Sequence, residues 1–421
     1  MLFLAVRLLS AVAGPLFATF VDRVRFRWGK YKPWLLIFAV PVGVFGVLTF
    51  TPFGGPPALA MALSAASYLL FGLCTSLAAA ATSGMGPAIT KDITDRLSMG
   101  RLSFVWVMLG ATAVGVIGRP AYRFLGQGDD GKGLMLLMGC AAGVGLLVAL
   151  FQVLRIRERY VAPPKRLAHD LPFRERVRIV AGNRTALIVY ATTLASSLSN
   201  GVRSALGILY LKYWFQDESL IVLSGLSAMV STLLGVLLSG PFVRRLGVRA
   251  SLVLSAAVQI ATLAAVSAAP RDATGVTVYL AANALGGLLL GLATPAQGTL
   301  MPAAMDYTEY HAGRNLNSFL GSFTLVASNV GAALAGALAA GGLSVVGYVA
   351  GVDQTPQALV GLRLLAGLVP AVLMLPALLV AKYDLTEERQ KEMAHALIER
   401  HEADVSVLQS AGENPTGGEP A

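Results

Sequence analysis

Charge is scarce in this sequence, and so is the material for several kinds of chemistry. Only 13% of the 421 residues are charged, about half the share of a soluble globular domain. There are two cysteines, Cys74 and Cys140, both inside apolar stretches with no CxxC partner, which excludes a disulfide framework and a zinc site. The four histidines, His169, His311, His395 and His401, all fall in polar stretches. A buried metal centre or a histidine-based catalytic site therefore has nothing to be built from, and no cofactor is expected. No nucleophile, base and orienter can be assembled at one level of the chain, so an enzyme is not expected either. The scarcest feature is positional: every Asp and Glu falls in a loop, at a helix end or in the tail, and none near the middle of an apolar run.

Apolar residues fill the remainder. They make up 55% of the chain, with 45 Gly and 20 Pro spread among them, as in transmembrane helices rather than in collagen-like or disordered chains. A helix needs about 20 residues to cross the hydrocarbon core, and eleven stretches qualify: Leu2–Val21, Pro33–Thr51, Ala58–Ile89, Leu102–Leu125, Leu134–Leu154, Thr185–Phe215, Ser219–Val243, Ala250–Ala269, Val276–Met305, Ser318–Val346 and Ala358–Ala381. Pro87, Pro120, Pro295, Pro302 and Pro370 are expected kink points, since each removes a backbone donor.

The net charge of +10 reads as topology rather than nucleic-acid binding. Alternate loops carry 21 Lys and Arg against 4 in the opposite set, so the positive-inside rule places the rich set, with the tail after Tyr383, in the cytoplasm. Met1 is then outside. The longest loop, Arg155–Arg184, divides the spans into five and six, a plan shared with many secondary transporters. Phe20-Val21-Asp22-Arg23 in the N-terminal half is echoed by Phe242-Val243-Arg244-Arg245 in the C-terminal half. A single span precedes the first copy and two precede the second, so the N-terminal half lacks an initial helix. Ala11-Val12-Ala13 fits a cleavage site, but no basic segment follows Met1 and Arg7 interrupts the apolar run; a start assigned too late, or loss of the helix, are the other readings.

The segment Ala5–Pro15 followed by Arg27-Trp28-Gly29-Lys30-Tyr31-Lys32-Pro33-Trp34 resembles the second helix and following loop of the glycoside-pentoside-hexuronide cation symporters, a branch of the major facilitator superfamily. The resemblance continues through Pro87, Thr90, Asp92 and Arg96, Asn183, Tyr210 and Tyr213, Asp306-Tyr307-Thr308-Glu309, Gly313, Gly331 and Gly347-Tyr348. It implies an all-α membrane protein, a two-bundle helical transporter of major facilitator type whose eleven spans correspond to helices two to twelve. Bundles would occupy residues 1–154 and 185–383, joined by a cytoplasmic linker at 155–184 and followed by an amphipathic helix and tail at 384–421. Against the family pattern, Ser10, Ala13 and Gly14 replace the cation-binding Asp, Asn and Asp of the second helix and Ala79 replaces a further Asp, Ser83 and Thr294 replace aromatic sugar platforms, and Asn329 stands at a lysine position.

Sodium or proton symport usually needs a midplane carboxylate, and these spans have none. Their ionisable residues are Arg7, Arg203 and Arg363, each costing about 2.5–3.5 kcal/mol to insert at a helix centre. Arg7 and Arg363 are close enough to helix ends to snorkel. Arg203 is deeper and shares a polar stripe with Ser196, Ser199 and Asn200; a cavity-facing role and a structural pairing with a neighbouring helix both fit. Hydroxyls and amides, including Ser10, Tyr68, Thr75, Ser76, Thr82, Ser83, Tyr190, Asn283, Thr294, Gln297 and Asn329, could bind a hydroxylated ligand or act as glue between helices. The candidate solute set is Arg7, Ser10, Ser83, Asn200, Arg203, Thr294, Gln297 and Asn329. A second constellation, Asp22, Arg23, Arg27, Lys30, Asp92, Arg96, Asp306, Glu309 and Arg314, is expected to form a cytoplasmic gate of salt bridges that break on opening. Asp384-Leu385-Thr386-Glu387 reads as a capping box opening a surface helix, and the chain after Ser410 reads as disordered.

The expected function is secondary transport of a small solute, a sugar, glycoside or related neutral or anionic compound, by alternating access in the bacterial inner membrane, by a monomer. The alternative is a transporter-shaped sensor or partner-binding subunit that no longer transports. Expected partners are the lipid bilayer and the solute, with no nucleic acid.

Overall fold

Long apolar runs broken by Gly, Pro and short charged turns give helices, and the computed structural model is helical throughout. It describes residues 13–22, 24, 26, 29–160, 171–217, 219–349, 352, 354–383 and 387–410. In chain order the helices are α1 (13–22), α2 (Lys32–Thr49), α3 (Pro57–Thr82), α4 (Met85–Ile89), α5 (Ile93–Gly126), α6 (Asp130–Arg155), α7 (Phe173–Gly182), α8 (Arg184–Tyr210), α9 (Ser219–Ala268), α10 (Ala273–Ala312), α11 (Asn317–Val345), α12 (Pro356–Ala366), α13 (Leu368–Met374) and α14 (Glu387–Ser410). A π-helical turn, Leu211–Phe215, extends α8, and a 3₁₀ stretch, Leu375–Lys382, extends α13. Among the described residues there is no β-strand, only an isolated bridge between Phe26 and Gly29.

Eight of the described helical segments are long and apolar enough to cross a membrane. Their outer surfaces carry large exposed apolar side chains, such as Trp106, Val114, Phe124, Leu147 and Leu237, a distribution that fits lipid and not water. α8 is not among the eight because Ser196, Ser197, Ser199, Asn200 and Arg203 interrupt it. α1 is described only from residue 13, and the proposed capping residues Asp384, Leu385 and Thr386 lie outside the described residues, as do residues 1–12, the chain after Ser410 and residues 161–170.

α9 runs for 50 residues through Gly247, whose φ of 78° and ψ of 162° are not helical. Only glycine adopts that geometry without strain. Thr232 and Thr262 lie equally far on either side of it in sequence, and both contact α10 at one level, at Gly287 and Gly286 respectively. The chain therefore doubles back at Gly247, and the two arms pack side by side on α10. The first arm approaches α10 closely: a Cβ on Gly235 would lie 2.1 Å from the Leu288 carbonyl oxygen, and one on Gly291 would lie 2.1 Å from that of Thr232. Gly287 and Gly291 make a GxxxG pair, the spacing that lets helix backbones touch.

The prolines behave unequally. Pro295 and Pro302 are accommodated inside α10 and Pro120 inside α5. Pro87 follows the break at Ser83–Gly84, where the Tyr31 ring fills the space a Cβ on Gly84 would need. Pro370 follows the break at Gly367, and its carbonyl accepts a hydrogen bond from the Ser199 hydroxyl at 2.8 Å.

Helices α1 to α6 pack on one another, as do α8 to α13, and the two groups meet along α3 with α11 and along α5 with α9 and α10. α14 lies on the end of α10. Met393 and Leu397 are buried there, and Arg400 donates to the Tyr310 carbonyl at 3.1 Å with its guanidinium 4.6 Å from the Tyr310 ring centroid.

Candidate functional site

At the basic end of the molecule the two helix groups are joined by buried charge. Asp22 ends α1 with its carboxylate fully buried. It accepts the backbone N–H groups of Ser318 at 3.2 Å and Phe319 at 3.0 Å. These are orphan donors of the first turn of α11, whose own N-cap, Leu316, offers no side-chain acceptor. A helix of one group is thus capped by an acid from the other, where negative charge also suits the helix dipole.

From Asp22 the network is continuous. Lys30 Nζ lies 3.3 Å from Asp22 and donates to Asn315 Oδ1 at 2.9 Å. Asn315 donates to Glu309 Oε2 at 3.3 Å, and Lys91 Nζ lies 3.9 Å from the same oxygen. Lys91 also pairs with Asp306, whose second oxygen accepts from Arg96 Nη2 at 2.6 Å. Arg96 Nε closes the chain on the Thr90 carbonyl at 3.1 Å. Three carboxylates meet three cations, all buried, so the cluster is neutral in sum. Burying such ions is costly unless every one is paired, and here the pairing is completed only when α10 and α11 lie against α1 and α5.

The turn carrying Lys30 is itself held by Glu158, which follows α6. Its carboxylate accepts the backbone N–H of Lys30 at 2.7 Å, of Tyr31 at 3.0 Å and of Lys32 at 2.8 Å. Gly29, at φ +133°, leaves no room for a side chain there, since a Cβ would sit 2.9 Å from Glu158 Oε1. Burial, with the carboxylates of Asp22, Glu309 and Glu158, pushes the Tyr31 phenol well above its ordinary pKa, so it stays neutral. Replacing Glu158 with Ala removes three charge-assisted hydrogen bonds; we expect a loss of at least about 1.5 kcal/mol, read as a lower thermal midpoint, with Glu158→Gln retaining part of it. An unchanged midpoint in Glu158→Ala would show that water replaces the carboxylate at no cost.

Of the residues singled out in the sequence, Asp22, Lys30, Arg96, Asp306 and Glu309 come together. Asp92 stands apart: it is exposed and N-caps α5 through the N–H groups of Thr94 at 2.6 Å and Asp95 at 3.0 Å. Its neighbour Lys91 takes the inward place. Arg314 is half-buried in the turn between α10 and α11. Arg23, Arg27, Arg7 and Ser10 lie outside the described residues. Lys91, Glu158, Asn315 and Arg176 are additions; buried Arg176 donates from Nε to the Leu171 carbonyl at 3.0 Å and from Nη1 to the Thr19 carbonyl at 3.3 Å, tying α7 to α1.

The candidate solute residues are dispersed. Ser83 is wedged between the helix groups, its hydroxyl on the Ala80 carbonyl at 2.8 Å and 3.4 Å from that of Ser318. Asn200 donates back to Ser196 at 2.9 Å and Thr294 to Leu290 at 2.7 Å, each within its own helix. Gln297 and Asn329 are half-buried, and neither side chain hydrogen-bonds to a described residue. Gln297 lines a pocket of about 330 Å³ with Thr193, Ser196, Asn200, Ser255 and Gln259. No motif or periodicity had pointed to Gln259. Arg203 donates to Asn283 Oδ1 at 3.2 Å, and Asn283 in turn donates to the Ser224 carbonyl at 2.9 Å.

Two helix groups in lipid, joined at one end by a neutral cluster of buried ions and holding polar pockets between apolar walls, define a membrane carrier. The fold is similar to that of the major facilitator superfamily transporter FucP, with a TM-score of 0.64 at 11% identity over 90% of this chain and 89% of that one. The chain belongs to the MFS/sugar transport protein family, which matches it over residues 1–387. It is 28% identical to YagG of Escherichia coli (strain K12), given as a candidate glycoside/cation symporter, over 97% of this chain and 88% of that protein. It is 24% identical to the isoprimeverose transporter of Lactiplantibacillus pentosus over 92% and 81% respectively. The protein is a multi-pass secondary transporter of the cell membrane, a carrier and not an enzyme.

Proposed function

We propose that this carrier moves a small hydroxylated solute, neutral or anionic, by alternating access and without coupling to sodium or protons. One observation carries the uncoupled mechanism for the eleven spans read here: the buried carboxylates Asp22, Asp306 and Glu309 are all engaged at the basic end, and none of these spans has an acid near its middle. The relatives named for glycoside and isoprimeverose transport support a sugar-like solute. In this reading the polypeptide has eleven spans: α1, α2, α3 with α4, α5, α6, α8 with its π turn, the two arms of α9, α10, α11, and α12 through Lys382. Residues 1–154 and 185–383 form the two bundles around a linker at 155–184, and the protein works as a monomer in a bacterial inner membrane.

The basic end is the cytoplasmic mouth, closed here by the Asp22 to Arg96 network acting as a gate. A mouth closed at that end corresponds to an outward conformation, the state in which the similarly folded FucP was solved. Asn200, Gln259, Gln297 and Asn329 would meet the solute's hydroxyls, with Ser83 and Thr294 bordering the path. A reporter fused after Ala421 should read cytoplasmic and one between Gln127 and Gly133 external; an external C-terminus would invert the assignment.

Transport is tested by uptake into proteoliposomes, comparing neutral glycosides with sugar acids, with and without imposed gradients. Equilibration and counterflow, with no accumulation tracking sodium or pH, is the expected result. Gradient-driven accumulation would refute the uncoupled mechanism, and no movement of any solute by folded protein would favour a sensor or partner-binding role.

A further inference from the structure

Arg203 does not face the mouth network. It lines a chamber of about 80 Å³ inside the second helix group, with Asn200, Thr232, Gln259, Tyr279 and Asn283 among its walls. Its guanidinium has one hydrogen-bond acceptor among the described residues, the Asn283 amide oxygen, and no ion pair there. The sequence offers it no acid nearby: α8, α9, α12 and α13 contain no Asp or Glu, and α10 has them only near its far end, where Asp306 and Glu309 face Lys91.

The route from this chamber toward the opposite end carries the same sign. Tyr279 and Tyr210, both on the chamber wall, have ring centroids 5.8 Å apart, and Tyr210 stacks on Trp214 at 6.2 Å. Arg271 and Arg363 each place a guanidinium 5.1 Å from the Trp214 ring centroid. The Arg363 Nε is buried with no hydrogen-bond partner among the described residues. Aromatic faces ease a cation's burial but leave its net charge in place, so three positive groups follow one another with no carboxylate paired to any of them among the described residues.

We propose that the chamber binds a small monovalent inorganic anion of the chloride class, as the counter-ion of Arg203. Size suits the class: about 10–15 Å³ of such space admits one water, so 80 Å³ has room for a small ion with a few waters. Charge suits it too, because an unpaired cation in a poorly screened interior attracts an anion strongly. The donors match a weakly demanding ion. The hydroxyls of Thr232, Thr262, Ser199 and Tyr210 already donate to backbone carbonyls, which leaves chiefly the guanidinium, the Gln259 amide and the Tyr279 hydroxyl in the lining, with one positive charge to balance a monovalent ion. Asn200 and Gln259 belong both to this chamber and to the Gln297 pocket, so the ion would sit behind the wall of the solute path and not in it.

The test is direct binding of radiolabelled chloride to the full chain in nanodiscs, in gluconate buffer and without any transported solute, so that its outcome is independent of transport. We expect saturable binding of one ion per chain, competed by bromide and not by gluconate. Arg203→Gln should weaken it at least tenfold, Asn283→Ala, which frees the guanidinium from its one side-chain acceptor, should change the affinity, and the exposed Lys132→Gln should not. Should Arg203→Gln fail to fold, Arg203→Lys and Asn283→Ala decide between the outcomes. Absence of saturable binding to folded wild-type protein, or affinity unaltered in the Arg203 and Asn283 variants, overturns the proposal.

Discussion

Replacing Asp306 with Lys is expected to open the basic mouth. The substitution removes the acceptor shared by Lys91 and Arg96 and puts a third cation beside them. Breaking a buried pair by removing one partner costs about 3–5 kcal/mol, which is a change of roughly 10²-fold to several thousandfold in a population ratio. The closed form bears that cost, since Lys91 and Arg96 meet α10 only when the helix groups touch; the open form, with those side chains in water, does not. A cysteine at Ser83, wedged between the groups, reports the change in a chain whose Cys74 and Cys140 are replaced by Ala. Its labelling by a water-soluble reagent should rise by about two orders of magnitude or to the reagent's limit, and Lys91→Glu in the same chain should reverse part of the rise. Labelling that stays at the background level in Asp306→Lys would mean that the cluster does not hold the mouth.

The second large effect concerns the backbone contact of α9 with α10. Gly291→Ala adds one methyl carbon 2.1 Å from the Thr232 carbonyl oxygen and 2.8 Å from the Val236 nitrogen. Both are backbone atoms, so no side chain can move aside and the helices must separate. Overpacking typically costs about 1–3 kcal/mol, and the rigid neighbours put this case at the upper end. Gly298, on the same helix, has no atom within 4 Å of its hypothetical Cβ, so Gly298→Ala should gain up to about 1 kcal/mol from helix propensity. Thermal unfolding in one detergent compares the two. Equal midpoints would show that α9 and α10 are not as close as described.

What the sequence made legible was mostly one-dimensional. Apolar length located the helices, and the basic turn at 244–249 marked where α9 doubles back, although only the structure shows the helix carried up to Gly247 itself. Partners were not legible. Asp306 and Glu309 were identifiable as buried-network candidates, but Lys91 and Asp92 are adjacent, and the choice between them depends on which one caps α5. Asp followed by Ile-Thr-Asp is a recognisable N-cap signal, and applied there it would have turned Asp92 outward. Glu158 lay hidden as the one acid in the basic run Arg155-Ile-Arg-Glu-Arg, where charge counting treats it as a minor offset. Arg203 was conspicuous from its own helix, whereas its acceptor Asn283 is 80 residues away in sequence, beyond the reach of any periodicity.

On the proposed gating, the cap that α1 lends to α11 makes hydration part of the transport cycle. When the helix groups separate, the N–H groups of Ser318 and Phe319 lose the Asp22 carboxylate together. In a bilayer setting they cannot remain bare. Water must reach the end of α11 as the gap forms, before it is wide enough for a solute. Wetting of that one helix terminus therefore sets a threshold for opening, and agents that lower water activity should slow the inward-opening step more than the return.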